Sequence, residues 1–224
     1  MTDKRDRSDR RRREVLIPAT AFDLPPPSNQ EAAQSRSPDS FVSAKTAVPI
    51  PSKHPALREA LIQLSLDPRV RSIDYVPTAI VASEQIDLGA VVVHRVDGRF
   101  LLDVVQARPI RDLEHEGLSL IALEKLGLKP WVISAKSLRR EPRCSNALFV
   151  WLYNGHPVAR EQRKRILQAV TDKEPIRLGQ LERRSGRDPF PCIMALACAD
   201  LLELDLISQP ITRTTIVKCR ARAD

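Results

Sequence analysis

The sequence predicts an α/β chain, a mixed sheet flanked by helices, followed by a smaller unit of three helices and a hairpin. Three observations carry this. β-branched runs on either side of Asp97-Gly98 predict a hairpin near the middle of the chain. Amphipathic stretches around it give the order helix, strands, helix, strand, which suits a layered α/β core. Beyond His156 the sequence turns helical and basic, then β-prone towards the end.

Residues 1–52 combine a charged run (Lys4 to Glu14), a triple proline (Pro25 to Pro27) and little hydrophobic periodicity, the composition of a disordered tail. Within it, Arg10 to Arg13 either touch phosphates or stay solvated. From His54 a helix is expected over 55–66, with Leu57, Leu61 and Leu64 on one face and Pro55 in the first turn. Asp67-Pro68 stops it. Val70 to Tyr75 and Thr78 to Ser83 read as two short extended segments around Pro77. The hairpin follows, from Ile86 to Gln106. Leu113 to Leu126 is amphipathic and ends at Gly127, a helix C-cap. Trp131 to Ser134 is a candidate strand, and Ser145 to Tyr153 a short helix before the boundary at Asn154-Gly155-His156-Pro157. The organisation is thus a tail over 1–52, a mixed-sheet domain over 53–155 and a smaller domain over 156–220.

In that smaller domain Val158 to Val170 is a basic amphipathic helix, Ile176 to Leu178 a short strand, and Leu178 to Arg184 a brief helix. Pro189 to Leu202 is a third, apolar helix, and Leu204 to Leu206 and Thr214 to Lys218 are β-prone. Three helices followed by a two-stranded wing is the winged-helix layout. A winged helix reads bases through its third helix using Arg, Lys, Asn or Gln. This one carries no basic residue, so base readout is not expected. Cations gather instead at Arg160, Arg163, Lys164, Arg165, Arg183, Arg184, Arg187 and Lys218, a pattern for phosphate contacts or for an acidic protein surface. The net charge of +8 and pI near 9.7 favour a polyanionic partner, with DNA the default.

No apolar run approaches the roughly 20 residues of a membrane span, and the charged N-terminus lacks the apolar core of a secretory signal. The four cysteines show no metal-binding spacing, and Cys192 and Cys198 read as buried thiols. A reducing, cytoplasmic setting fits them. No glycine-rich phosphate loop or Cys/His constellation is present. His94 reads as a surface histidine facing Asp97 and Gly98 across the turn, and His115 as part of a solvated helix face.

The hairpin carries one carboxylate at the start of its first strand, Asp87, and another inside its second, Asp103. Together with Leu66-Asp67-Pro68-Arg69-Val70, Arg140 to Leu148 with Asn146, Leu201 to Leu206 and Thr214 to Val217, this order of patches resembles the TnsA-like endonuclease subunits of heteromeric transposases. The resemblance covers about residues 54–218 and implies a restriction-endonuclease-like PD-(D/E)xK domain followed by a winged-helix domain. It also implies Mg²⁺ held by Asp87 and Asp103, which would activate water at a phosphate. The family's helix acid falls on Leu57, with Glu59 two places on. Its proline before the first carboxylate falls on Ile86, and its lysine on Val105. Strand alternation puts Asp103 and Val105 on one face, and valine cannot stabilise an oxyanion. Loss of one such electrostatic group costs on the order of 10² to 10³ in rate. Gln106 would approach the site only through a register shift, and Lys125 or Lys129 only from the next helix region. The expectation is a DNA-associated accessory protein with impaired cleavage, meeting a transposase or its AAA+ regulator. The alternatives are an active metal-dependent endonuclease, or a winged-helix regulator or protein-interaction module.

Overall fold

Helix α1 (Pro55–Leu66) starts where the His54 ring accepts a hydrogen bond from the Ala56 amide at 3.2 Å and Pro55 presets the first turn. The computed structural model describes residues 39–81 and 84–220. Two short strands, β1 (Ser40–Phe41) and β2 (Ile50–Pro51), pair antiparallel ahead of α1. Residues 39–52 are therefore folded, contrary to the expected tail. Phe41 stacks on Trp151 at 5.3 Å, a contact across 110 positions that local periodicity cannot show. The remainder of that expected tail lies outside the described residues.

After α1 come β3 (Val70–Val81), β4 (Glu84–Arg95) and β5 (Gly98–Val104), then helix α2 (Leu113–Lys125) and strand β6 (Lys129–Ile133). The sheet order is β3-β4-β5-β6, antiparallel except for the parallel β5–β6 pair. The architecture is thus mixed α/β with a four-stranded mixed sheet. The two segments expected around Pro77 are one strand. Pairing passes from Val76–Ala90 to Thr78–Asp87, so Pro77 sits at a bulge where no ladder amide is needed of it. Gly89 supplies the bulge's positive φ of 54°.

The sheet is covered on both sides. Val93, Leu102 and Val104 pack with Leu61 and Leu64 of α1 on one face. On the other, Ile86, Leu88 and Ala90 pack with Ala122, Leu118 and Leu126 of the α2 segment. Helix α2 begins at the Asp112 cap, whose carboxylate accepts from the His115 amide at 2.8 Å, and stops at Gly127 with φ 63°.

Next come α3 (Ala135–Leu138), α4 (Arg143–Trp151), α5 (Arg160–Thr171), β7 (Ile176–Arg177), α6 (Leu178–Arg184), α7 (Phe190–Cys198), β8 (Leu202–Leu204) and β9 (Ile216–Cys219). The last three strands form an antiparallel sheet in the order β7-β9-β8. Helix α7 ends four residues earlier than its apolar run suggested, because Asp200 takes a left-handed φ of 56° and Leu202 turns into β8. Residues 192–198 of α7 are all buried, and the Cys198 thiol donates to the Val150 carbonyl of α4 at 3.3 Å. One apolar cluster therefore runs from Phe41 to Val217, through both halves of the chain.

Asn146 on α4 ties the loop before β9 to that core. It is buried, its amide donates to the Leu206 and Gln209 carbonyls at 2.9 and 2.8 Å, and its oxygen accepts from the Ile211 amide at 3.0 Å. Asn146→Ala leaves these groups unpaired, and we expect a loss of about 2–3 kcal/mol in urea unfolding. Asn146→Asp, which cannot donate and opposes two carbonyls, should cost at least as much. An unchanged midpoint in both variants would show that the clamp contributes nothing.

Candidate nucleic-acid interface

The two strand carboxylates do not converge. Asp103 shares its face of β5 with Leu101, which packs on the α2 side of the sheet. Asp87 lies between Ile86 and Leu88, both on that same side, and so points the other way. There its charge reaches Tyr75, which packs on the α1 side; burial first and then Asp87 push the Tyr75 hydroxyl upward. The expected carboxylate pair is separated by the sheet.

Val105 is also not where strand alternation puts it. Strand β5 stops at Val104, and Val105–Ala107 form a 3-10 turn, so Asp103 and Val105 do not share a strand face. Gln106 lies exposed in that turn. The turn instead delivers a cation the sequence reading missed. Arg108 donates Nε to Asp103 Oδ1 at 2.8 Å and Nη2 to Asp103 Oδ2 at 2.6 Å. The hydrogen bonds and the charge of Asp103 hold the Arg108 guanidinium above its ordinary pKa. The signal was present as Arg108-Pro109 after the strand, but only knowledge of the 3-10 turn brings it back.

This geometry fits Mg²⁺ poorly. A hard dication needs several converging oxygens, whereas the two carboxylates face apart and both oxygens of Asp103 are held by a guanidinium fork. Among the described residues no group of three His, Cys, Asp or Glu side chains comes together to hold a metal ion. On α1, Leu57 packs against the core, and Glu59 lies near enough to Cys144 for its charge to raise that thiol, after the larger effect of burial and that of Glu141. Lys129 starts β6 opposite Phe100, three positions from Val132, the residue that pairs with Asp103. Lys125 ends α2. His94 does not face the turn: its Nε2 lies 2.8 Å from Asp74 Oδ2 across β3 and β4. His115 pairs with the capping Asp112.

The basic residues behave differently. Lys164 and Arg165 of α5 meet Arg184 of α6 along an open groove of about 400 Å³, lined also by Glu161, Gln168, Ala169 and Asp172. Gly186 shapes one end. Its φ is 94°, and a Cβ there would lie 2.7 Å from Arg165 Nη1, so the guanidinium occupies the space that a side chain would fill. Gln162 reaches the Arg187 carbonyl at 3.5 Å, which brings Arg187 to the start of α5. Arg160, Arg163 and Arg183 are exposed nearby in sequence, on α5 and α6. Lys218 is not in the groove. It lies on β9 across from Glu203 and lines a separate cavity of about 310 Å³ with Asp67, Arg143, Glu203 and Asp205. Helix α7, the third of this unit, is buried and offers no surface to a nucleic-acid groove.

Among the described residues no helix is long and apolar enough to cross a membrane. No known protein family matches this chain, and no curated protein matches it either.

Proposed function

We propose that this chain is a DNA-associated accessory protein related to transposase endonuclease subunits, with impaired cleavage, binding duplex DNA through phosphate contacts. The groove in which Lys164, Arg165 and Arg184 meet carries the proposal. Three cations against the two carboxylates of Glu161 and Asp172 leave this open groove net positive, which suits a polyanion backbone and carries no base choice. The burial of α7 supports non-specific rather than base-reading contact. The layout of α5, β7, α6, α7, β8 and β9 supports a winged-helix reading of the second half, and the mixed sheet with helices on both faces a restriction-endonuclease-like reading of the first. The outward divergence of Asp87 from Asp103, and the Arg108 fork on Asp103, support the loss of cleavage. A transposase or its AAA+ regulator is the partner this reading implies.

Equilibrium binding of the full chain to a duplex at two salt concentrations tests the reading. Affinity should fall steeply with salt. Replacing Lys164, Arg165 and Arg184 by alanine together should lower the slope of log K against log salt by about 2.7, three phosphate contacts at about 0.9 each. Binding without salt dependence would favour a protein-interaction module instead. With Mg²⁺ or Mn²⁺, no cleavage is expected; cleavage that Asp103→Ala abolishes would show an active endonuclease.

A further inference from the structure

The outward face of α2 carries an apolar stripe that none of the described residues covers. Leu113, Leu120 and Ile121 are 91%, 59% and 44% exposed, and Ile110, just ahead of the helix, is 103% exposed. At helical spacing Leu113, Gly117, Leu120, Ile121 and Glu124 share this side, while Ser119 and Ala122 are buried on the other. Gly117 stands in the middle of the helix, where glycine weakens the structure relative to alanine. A Cβ built on it would meet nothing within 4 Å, and its φ lies outside the left-handed range. Neither packing among the described residues nor backbone conformation accounts for the missing side chain, and its absence leaves room for close approach from outside.

The charges on this helix are polarised. Glu114 and Glu116 occupy the first turn and Lys125 the last. Among the described residues Glu114 and Lys125 have no ion-pair partner, whereas Glu116 lies 3.9 Å from Arg111 and Asp112 is held by His115.

We propose that this face forms a two-fold symmetric dimer, with α2 packed antiparallel on α2 of a second copy. In that direction the stripe residues Gly117, Leu120 and Ile121 and the charges of Glu114 and Lys125 are self-complementary, while Glu124 is the one stripe position that brings a carboxylate into the contact. With the axis beside Leu120, Leu120 meets the partner's Leu120, Ile121 lies over the partner's Gly117, and Glu114 faces the partner's Lys125. Parallel packing would set Glu114 beside the partner's Glu114 and Lys125 beside the partner's Lys125. The antiparallel contact also takes Leu113 and Ile110 out of water, which an isolated copy leaves fully wetted.

Sedimentation velocity of the full chain, from micromolar to hundreds of micromolar, should show a monomer–dimer equilibrium. Leu120→Glu should abolish the dimer while circular dichroism stays native. Glu114→Lys alone should weaken it by about tenfold or more, and Glu114→Lys combined with Lys125→Glu should restore it. A monomer throughout the range, or a dimer untouched by Leu120→Glu, would overturn the proposal. A dimer that the double exchange fails to restore would overturn the antiparallel register. DNA binding is read separately, so failure of the groove at Lys164, Arg165 and Arg184 would leave this result intact.

Discussion

Phe41→Ala lowers the unfolding free energy by about 4 kcal/mol, within the range for truncating a buried phenylalanine. Phe41 is 1% exposed, and its ring lies 5.3 Å from that of Trp151 at an interplanar angle of 16°. Aromatic stacking adds about 0.5–1.5 kcal/mol beyond area burial. The β1–β2 pair has only two residues per strand, so it cannot hold itself in place; the Phe41 ring docks it on α4, alongside buried Ile50 and the Lys45–Ile73 backbone bond. Urea unfolding followed by tryptophan fluorescence reads both effects, because the truncation also changes the environment of the Trp151 indole. A loss below about 1 kcal/mol would show that residues 39–52 are not anchored through this side chain.

The second large effect is expected at Lys45. Its side chain is 1% exposed, Nζ donates to the Asp67 carbonyl at 2.7 Å and lies 3.3 Å from Asp200, which Arg220 also approaches at 3.3 Å. Removing one member of a buried charge network costs about 3 kcal/mol or more, and Lys45→Ala should do so. Lys45→Met keeps the volume and isolates the charge. Burial pushes the Lys45 ammonium below its ordinary value of 10.5, outweighing the attraction of Asp200. The folded chain therefore releases this proton at a lower pH than the unfolded chain does. Between the lowered pKa and 10.5 the unfolded state holds more protons, and stability rises with pH in that window. Unfolding measured from pH 7 upward should show wild type gaining on Lys45→Met as pH climbs through that window. A constant difference would mean that Lys45 titrates alike in both states.

Much of the secondary structure was legible because it rests on local chemistry. Pro55 and Gly127 mark helix ends with groups that act within one turn, and the brief helix ending at Arg184 was read to the residue. Asp97-Gly98 correctly marked the turn between β4 and β5, although the two-residue loop is Val96-Asp97, one position earlier. Where the reading failed, the deciding contact is distant or the backbone leaves its regular path. The bulge at Gly89 and Pro77 joins two expected segments into one strand. The 3-10 turn after Val104 removes Val105 from the strand and brings Arg108 back to Asp103. Side chains alternate only while the strand lasts, so a face argument carried one residue past its end placed valine where none lies. The cations split similarly: Lys164, Arg165 and Arg184 converge because α5 packs on α6, while Lys218, equally basic in sequence, is carried by β9 to a site among acids.

The continuity of the core through α7 has a thermodynamic consequence. Because Val150, Cys198 and Leu64 belong to the same packed cluster, neither half can lose its structure without stripping apolar partners from the other, and the described residues are built to unfold in one step. Any polyanion held by the α5–α6 groove is then linked to the whole, stabilising the distant β-sheet by RT ln(1 + [L]/Kd) although it touches none of its strands.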